Sequence, residues 1–155
     1  EKALGNGYPI SAIITTSDFE DKCSSSELYY AQSHQLDPLG AAVAKKVVKV
    51  FEEDAIIERS QSTIFELNKF FKSLNYGFIE EVRSIGMIFA LNLKDYKNIR
   101  TEKLVVKLKN ELLNVGVLVG YNVGQGLLRL LPPLTMETEE IQFLKEKMIN
   151  VFGKI

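Results

Sequence analysis

Residues 78–93 read Phe78-Ile79-Glu80-Glu81-Val82-Arg83-Ser84-Ile85-Gly86-Met87-Ile88-Phe89-Ala90-Leu91-Asn92-Leu93. Phe78–Val82 and Gly86–Leu93 are rich in β-branched and aromatic residues, and they predict two strands around Arg83-Ser84-Ile85-Gly86. On the N-terminal side the period changes. Asp37-Pro38 predicts a helix start, because Asp accepts a hydrogen bond from an orphan amide and Pro loses nothing at the first helical position. Leu39, Ala42, Val43, Val47, Val50 and Phe51 then keep a helical stripe, resumed by Ile56, Ile57, Ile64, Phe65, Leu67, Phe70 and Phe71. This is one long helix, bent or broken near Asp54 and ended by the Asn75–Gly77 turn.

On the C-terminal side, Thr101 is expected to cap a helix carrying Leu104, Leu108 and Leu112, with Gly116 just past its end. Val117–Tyr121 and Leu127–Leu131 read as a strand pair around a glycine-rich turn. A final helix buries Ile141, Leu144, Met148 and Phe152. The order from residue 37 is helix, two strands, helix, two strands, helix. That order implies an α+β fold, with helices on a small, mostly antiparallel sheet. The first 36 residues differ: a Gly5–Pro9 turn, a buried strand over Ile10–Thr16, and a short helix and loop over Ser17–Ser26. With no partner strand nearby they read as the tail of another domain. The expected division is 1–36, a connecting helix over 37–54, and a small domain over 55–155.

The 155 residues are 46% hydrophobic with a formal net charge of −1, a globular composition with no basic surface for nucleic acid or anionic membrane. The longest apolar runs, such as Leu127–Leu134, are too short to span a bilayer. A single cysteine, Cys23, excludes an intramolecular disulfide and fits a reducing, cytoplasmic compartment. The opening Glu1-Lys2-Ala3-Leu4-Gly5, without an initiator methionine or signal peptide, reads as the interior of a longer protein.

Few residues suggest chemistry individually. Arg129 lies in Leu127-Leu128-Arg129-Leu130-Leu131, where an unpaired buried guanidinium would be costly. Strand alternation allows it to point to solvent. A guanidinium fork held at a pocket for a carboxylate is the other reading. His34 is the only histidine, and without clustered cysteines or carboxylates it makes no metal site. Arg83 has Glu80 and Glu81 as ready partners. Lys2 alone is a solvated charge near a glycine turn.

Taken together the strings are more specific. Lys2-Ala3-Leu4-Gly5-Asn6-Gly7-Tyr8-Pro9-Ile10-Ser11-Ala12 resembles the cofactor-lysine segment of class III aminotransferases, the family of the ornithine, acetylornithine and 4-aminobutyrate enzymes. Ser33-His34-Gln35-Leu36-Asp37-Pro38-Leu39-Gly40 is similar to the family's next landmark, above all in the 4-aminobutyrate aminotransferase and dialkylglycine decarboxylase branch. Val82-Arg83-Ser84-Ile85-Gly86-Met87 resembles its Arg-Gly-x-Gly strand entry, with Ser84 at a usual glycine. Leu128-Arg129-Leu130-Leu131-Pro132-Pro133-Leu134-Thr135 resembles its C-terminal signature.

The resemblance implies pyridoxal 5′-phosphate (PLP) as cofactor, a fold type I scaffold and a homodimer or higher homo-oligomer. It makes residues 1–36 the tail of the large PLP-binding domain. Lys2 aligns with the lysine that holds PLP covalently and moves a proton between the substrate Cα and the cofactor C4′. Ser33 falls where the family binds the cofactor phosphate, usually through Thr, from the neighbouring subunit. Arg129 aligns with the arginine that clamps the substrate carboxylate. The implied reaction moves an amino group between an amino acid or omega-amino acid and a 2-oxo acid. Racemisation, epimerisation or decarboxylation on the same scaffold remain open, as does a non-catalytic, self-associating fragment. The family's aspartate for the pyridine nitrogen, its phosphate turn and its ring-stacking aromatic lie upstream of such a segment. The 155 residues alone are therefore expected to be inactive and to bind PLP weakly or not at all.

Overall fold

The computed structural model describes residues 2–26, 33 and 35–155, and of Lys2 the backbone only; the chain packs as two units, Glu1–Ala55 and Ile56–Ile155. The first unit contains α1 (Lys2–Gly5), α2 (Ser17–Ser25) and α3 (Pro38–Glu53). The Asp37-Pro38 start forms as expected: Asp37 Oδ1 accepts the Leu39 amide at 3.0 Å, and Pro38 is the first helical residue. Asp37 Oδ2 also accepts from the Tyr8 hydroxyl at 2.7 Å, joining the turn after α1 to the start of α3. That hydrogen bond, then partial burial and the Asp37 charge, raises the Tyr8 phenol above its ordinary pKa. Gly40 is the buried residue of α3, and a Cβ there would come within 3.2 Å of the Tyr8 ring and 3.3 Å of Ile10 Cδ1. The glycine is thus a close-approach residue between α3 and the Tyr8–Ile10 segment.

The strand expected over Ile10–Thr16 does not form. This segment has no regular structure, and Ile13 and Ile14 are 91% and 96% exposed. β-branched residues favour a pleated surface only where another strand takes up their amides and carbonyls, and the described residues of this unit offer none. Thr16 instead caps α2, its hydroxyl accepting the Phe19 amide at 3.4 Å. The long helix breaks where expected: α3 ends at Glu53 and α4 (Ile56–Ser73) starts after Ala55, which adopts φ 47°.

The second unit continues with β1 (Ile79–Ile85), β2 (Ile88–Leu93), α5 (Thr101–Asn114), β3 (Gly120–Asn122), β4 (Leu127–Leu130) and α6 (Thr138–Phe152). The four strands form one antiparallel sheet in the order β1-β2-β4-β3. Strand β1 runs further than expected. Arg83, Ser84 and Ile85 pair with Ala90, Phe89 and Ile88, so the turn is only Gly86-Met87. Ser84 uses its place on β1 to donate to Asn68 Oδ1 of α4, a structural role. Strand β3 is shorter than expected, since Val117 and Val119 are buried before the ladder begins at Gly120.

One sheet face is the core. Phe89, Leu91, Leu93, Leu128 and Leu130 alternate inward and meet Leu67 and Phe71 of α4, Leu104, Leu108 and Leu112 of α5, and Met148 and Phe152 of α6. The Phe71 and Phe89 rings stack with centroids 4.4 Å apart, and Phe78 meets Phe152 edge-on at 5.4 Å. Burying each such side chain contributes about 1.5–3 kcal/mol. Gly126, in the turn between β3 and β4, has φ 62°, and a Cβ there would fall 2.6 Å from Thr101 Cγ2. Only glycine fits that turn against α5.

Thr101 does not cap α5; it is the first helical residue. The carboxylate that takes its amide comes from Asp95, whose Oδ1 accepts Thr101 N at 2.8 Å and Thr101 Oγ1 at 2.7 Å. These bonds, with the Arg100 charge nearby, hold the Asp95 carboxyl below the usual Asp value. A folded-state pKa lowered in this way adds stability above the unfolded value and loses it as pH falls through the folded one.

Two predictions follow for stability. Phe71→Ala, which empties a fully buried site under β2, should cost about 3–5 kcal/mol in urea denaturation. Asp95→Ala should lower the thermal midpoint at neutral pH by several degrees, and the difference from wild type should shrink as pH falls below the ordinary Asp range. A difference that persists in acid would show that the carboxylate charge is not what holds the Thr101 end of α5.

Candidate functional site

In β4 the side chains alternate in depth. Leu128 is 0% and Leu130 3% exposed, whereas Arg129 is exposed on the opposite, open face of the sheet. Its cross-strand partners are Ala90 on β2 and Gly120 on β3. Its Nε and Nη2 stand 3.5 and 3.6 Å from where a Cβ on Gly120 would lie, so the guanidinium rests over Gly120. Arg129 has no hydrogen-bond or ion-pair partner for its guanidinium among the described residues. A planar fork in that state retains all its donors for a carboxylate, which it can grip through two parallel bonds. Just past it, Leu131, Pro132 and Pro133 wall an apolar groove of about 520 Å³ together with Leu118, Met136 and Phe143.

Arg83 lies on the same face, paired with Ala90 from the other side. Its guanidinium is engaged: Nε lies 3.3 Å from Glu81 Oε2, and Nη2 donates to Asn92 Oδ1 at 3.0 Å. Two arginines flanking one alanine therefore differ in what they can bind.

The other residues singled out from the sequence belong to the first unit. The backbone places Lys2 at the first position of α1, and Ser33 is exposed in a turn just before Asp37. The Tyr8–Asp37 hydrogen bond links the turn after α1 to the start of α3. His34 lies outside the described residues. Cys23 is a half-buried free thiol on α2. Among the described residues no group of three or more His, Cys, Asp or Glu side chains could hold a metal ion, and no helix is long and apolar enough to cross a membrane.

Sequence reasoning missed Tyr8, Asp37 as its partner, and Gly120. The first two meet across 29 residues and leave no local pattern. Gly120 did leave a signal, a glycine inside a predicted strand, which marks a bulge or a close approach.

The chain matches the family described as aminotransferase class-III over residues 1–152. Among curated relatives it is 29% identical to acetylornithine aminotransferase of Methanocaldococcus jannaschii, over 99% of this chain and 36% of that one. It is 28% identical to succinylornithine transaminase of Salmonella agona, over 90% and 33%. Among solved structures, adenosylmethionine-8-amino-7-oxononanoate aminotransferase from Methanocaldococcus jannaschii superposes with a TM-score of 0.83 at 23% identity, over 99% of this chain and 37% of that one. Ornithine aminotransferase from Toxoplasma gondii gives 0.81 at 22%, over 99% and 35%. These two likenesses show the fold. The chain spans about a third of the length of the curated relatives it matches. By its match over residues 1–152, the chain belongs to the class-III aminotransferase family.

Proposed function

We propose that this chain is the C-terminal portion of a PLP-dependent aminotransferase that moves an amino group between an amino acid, or omega-amino acid, and a 2-oxo acid. The observation that carries the reading is Arg129, a guanidinium on the open sheet face with no partner among the described residues. Within the proposed enzyme, residues 1–36 are the tail of the large cofactor domain, 37–54 the connecting helix and 55–155 the small domain. The enzyme is a cytoplasmic homodimer or higher homo-oligomer, a reading that rests on the family resemblance and on the single cysteine.

PLP needs an amine for its aldehyde and hydroxyl or amide donors for its phosphate. Lys2 and Ser33 have those chemistries, and an added Cβ at Gly7, in the turn between α1 and Tyr8, would meet nothing within 4 Å. This donor set fits part of the group's needs. When bound, PLP supplies the electron sink that makes bond breaking at the substrate Cα accessible. Lys2 would hold the cofactor through its side-chain amine, and that amine would carry a proton between the substrate Cα and the cofactor C4′, work that needs it neutral for part of the cycle. Ser33 would donate a hydrogen bond from its hydroxyl to the phosphate of the cofactor held by the neighbouring subunit. Arg129 fixes the substrate by its carboxylate, which sets the orientation of the bonds at Cα. Because the chain spans a third of its relatives, these 155 residues alone hold PLP weakly or not at all.

Borohydride reduction after PLP addition and dialysis, followed by mass spectrometry, tests the arrangement. The 155-residue chain should carry no pyridoxyl group, whereas the full-length protein should carry one on Lys2. In the full-length protein, Lys2→Ala should abolish transamination, and Arg129→Met should raise KM for carboxylate substrates by about 10–100-fold. Turnover that needs no 2-oxo acid acceptor would sink the aminotransferase reading.

A further inference from the structure

We infer that Gly120 is a positioning residue for Arg129, one that selects for carboxylate-bearing substrates. The inference rests on the carboxylate-binding reading of Arg129 proposed above. Gly120 opens β3, the edge strand beside β4, and its backbone does not require glycine: the positive-φ glycines are Gly7, Gly86, Gly116 and Gly126. A glycine inside a strand forgoes cross-strand packing and gives the unfolded chain extra freedom, so a residue with a side chain would stabilise the strand better. What occupies the space is Arg129. The position of a Cβ on Gly120 has as its three nearest atoms Arg129 Nε at 3.5 Å, Arg129 O at 3.5 Å and Arg129 Nη2 at 3.6 Å.

Those separations are ordinary van der Waals contact, so a methyl group is accommodated. Any branch beyond the Cβ enters the volume the guanidinium now fills. The residue across β4 from Gly120 is Ala90, also small, so the arginine stands between two neighbours that do not reach over it. Arginine has many rotamers to lose on binding a ligand, and a flat backbone surface that already supports the guanidinium reduces that loss. The fork is presented above the β3 edge, and a carboxylate meets it there. A larger residue at position 120 would tilt the guanidinium away and weaken binding of substrates that carry the carboxylate, while leaving the reaction of a substrate without one unaffected.

The test compares Gly120→Ala, Gly120→Val and Arg129→Met in the full-length protein with two donors, an amino acid and a primary amine lacking a carboxylate. Gly120→Val should raise KM for the amino acid about tenfold with kcat within twofold. It should leave the amine unchanged, and Gly120→Ala should stay within twofold on both. A general folding defect would instead lower kcat for both donors together. If Gly120→Val leaves KM unchanged while Arg129→Met raises it, Gly120 does not position the arginine and the inference falls alone. If Arg129→Met also leaves KM unchanged, the carboxylate role of Arg129 falls and takes this inference with it. Should the valine variant fail to fold, nuclear Overhauser contacts between Gly120 Hα and Arg129 Hε in the 155-residue chain decide the geometry; their absence overturns it.

Discussion

Because β4 pairs with β2 on one side and β3 on the other, a slip of one residue would carry Arg129 into the core and Leu128 and Leu130 into solvent. The two leucines would each forfeit about 1.5–3 kcal/mol of burial, and the guanidinium would face a desolvation cost with no counter-ion waiting for it. Register is therefore fixed twice, by what must be inside and by what must not be. The helices stacked over Leu128 and Leu130 depend on that register. So does the place of the one arginine on which the functional reading turns.

The same principle explains how far the fold could be read in advance. Asp37-Pro38 was legible because cap and first-turn chemistry act within a few residues, and the break near Asp54 because the helical stripe lapses there. The depth of Arg129 was legible from alternation alone, though whether it faced water or a ligand was not. The failures share one cause. Ile10–Thr16 has the composition of a strand, but composition cannot supply the neighbour whose amides and carbonyls a strand needs. Thr101 looked like a cap, yet the accepting carboxylate is Asp95, brought back across a loop. For Ile10–Thr16 the deciding partner is a strand that composition cannot supply, and for Thr101 it is a carboxylate six residues back, outside the usual capping spacing.

The first unit is held by few interactions among its described residues. It buries few residues, and α2 buries none. Its order comes from the Tyr8 hydroxyl on Asp37 and from the missing side chain of Gly40, which lets the Tyr8 ring and Ile10 settle on α3. Asp37 does two jobs with its two oxygens, starting the helix with one and holding the turn after α1 with the other. Lys2 and Ser33 drew attention only through the resemblance of their segments to family landmarks, because spacing alone suggested no chemistry for either. Gly120 was within reach of the same reasoning, since a strand glycine without a backbone requirement points to whatever lies above it.

The exposed run from Ile10 to Thr16 has a consequence for how this polypeptide behaves in bulk. Ser11-Ala12-Ile13-Ile14-Thr15-Thr16 is short, uncharged, free of proline and glycine, and rich in β-branched residues, with both isoleucines turned to solvent. Segments of this composition form dry, interdigitated cross-β stacks when many copies meet. The sheet of the second unit is better guarded, since its β1 edge carries Glu81 and Arg83 with a register irregularity and its β3 edge is three residues long. Such a run exposed in the 155-residue chain is a place where copies can pair whether or not the second unit is folded.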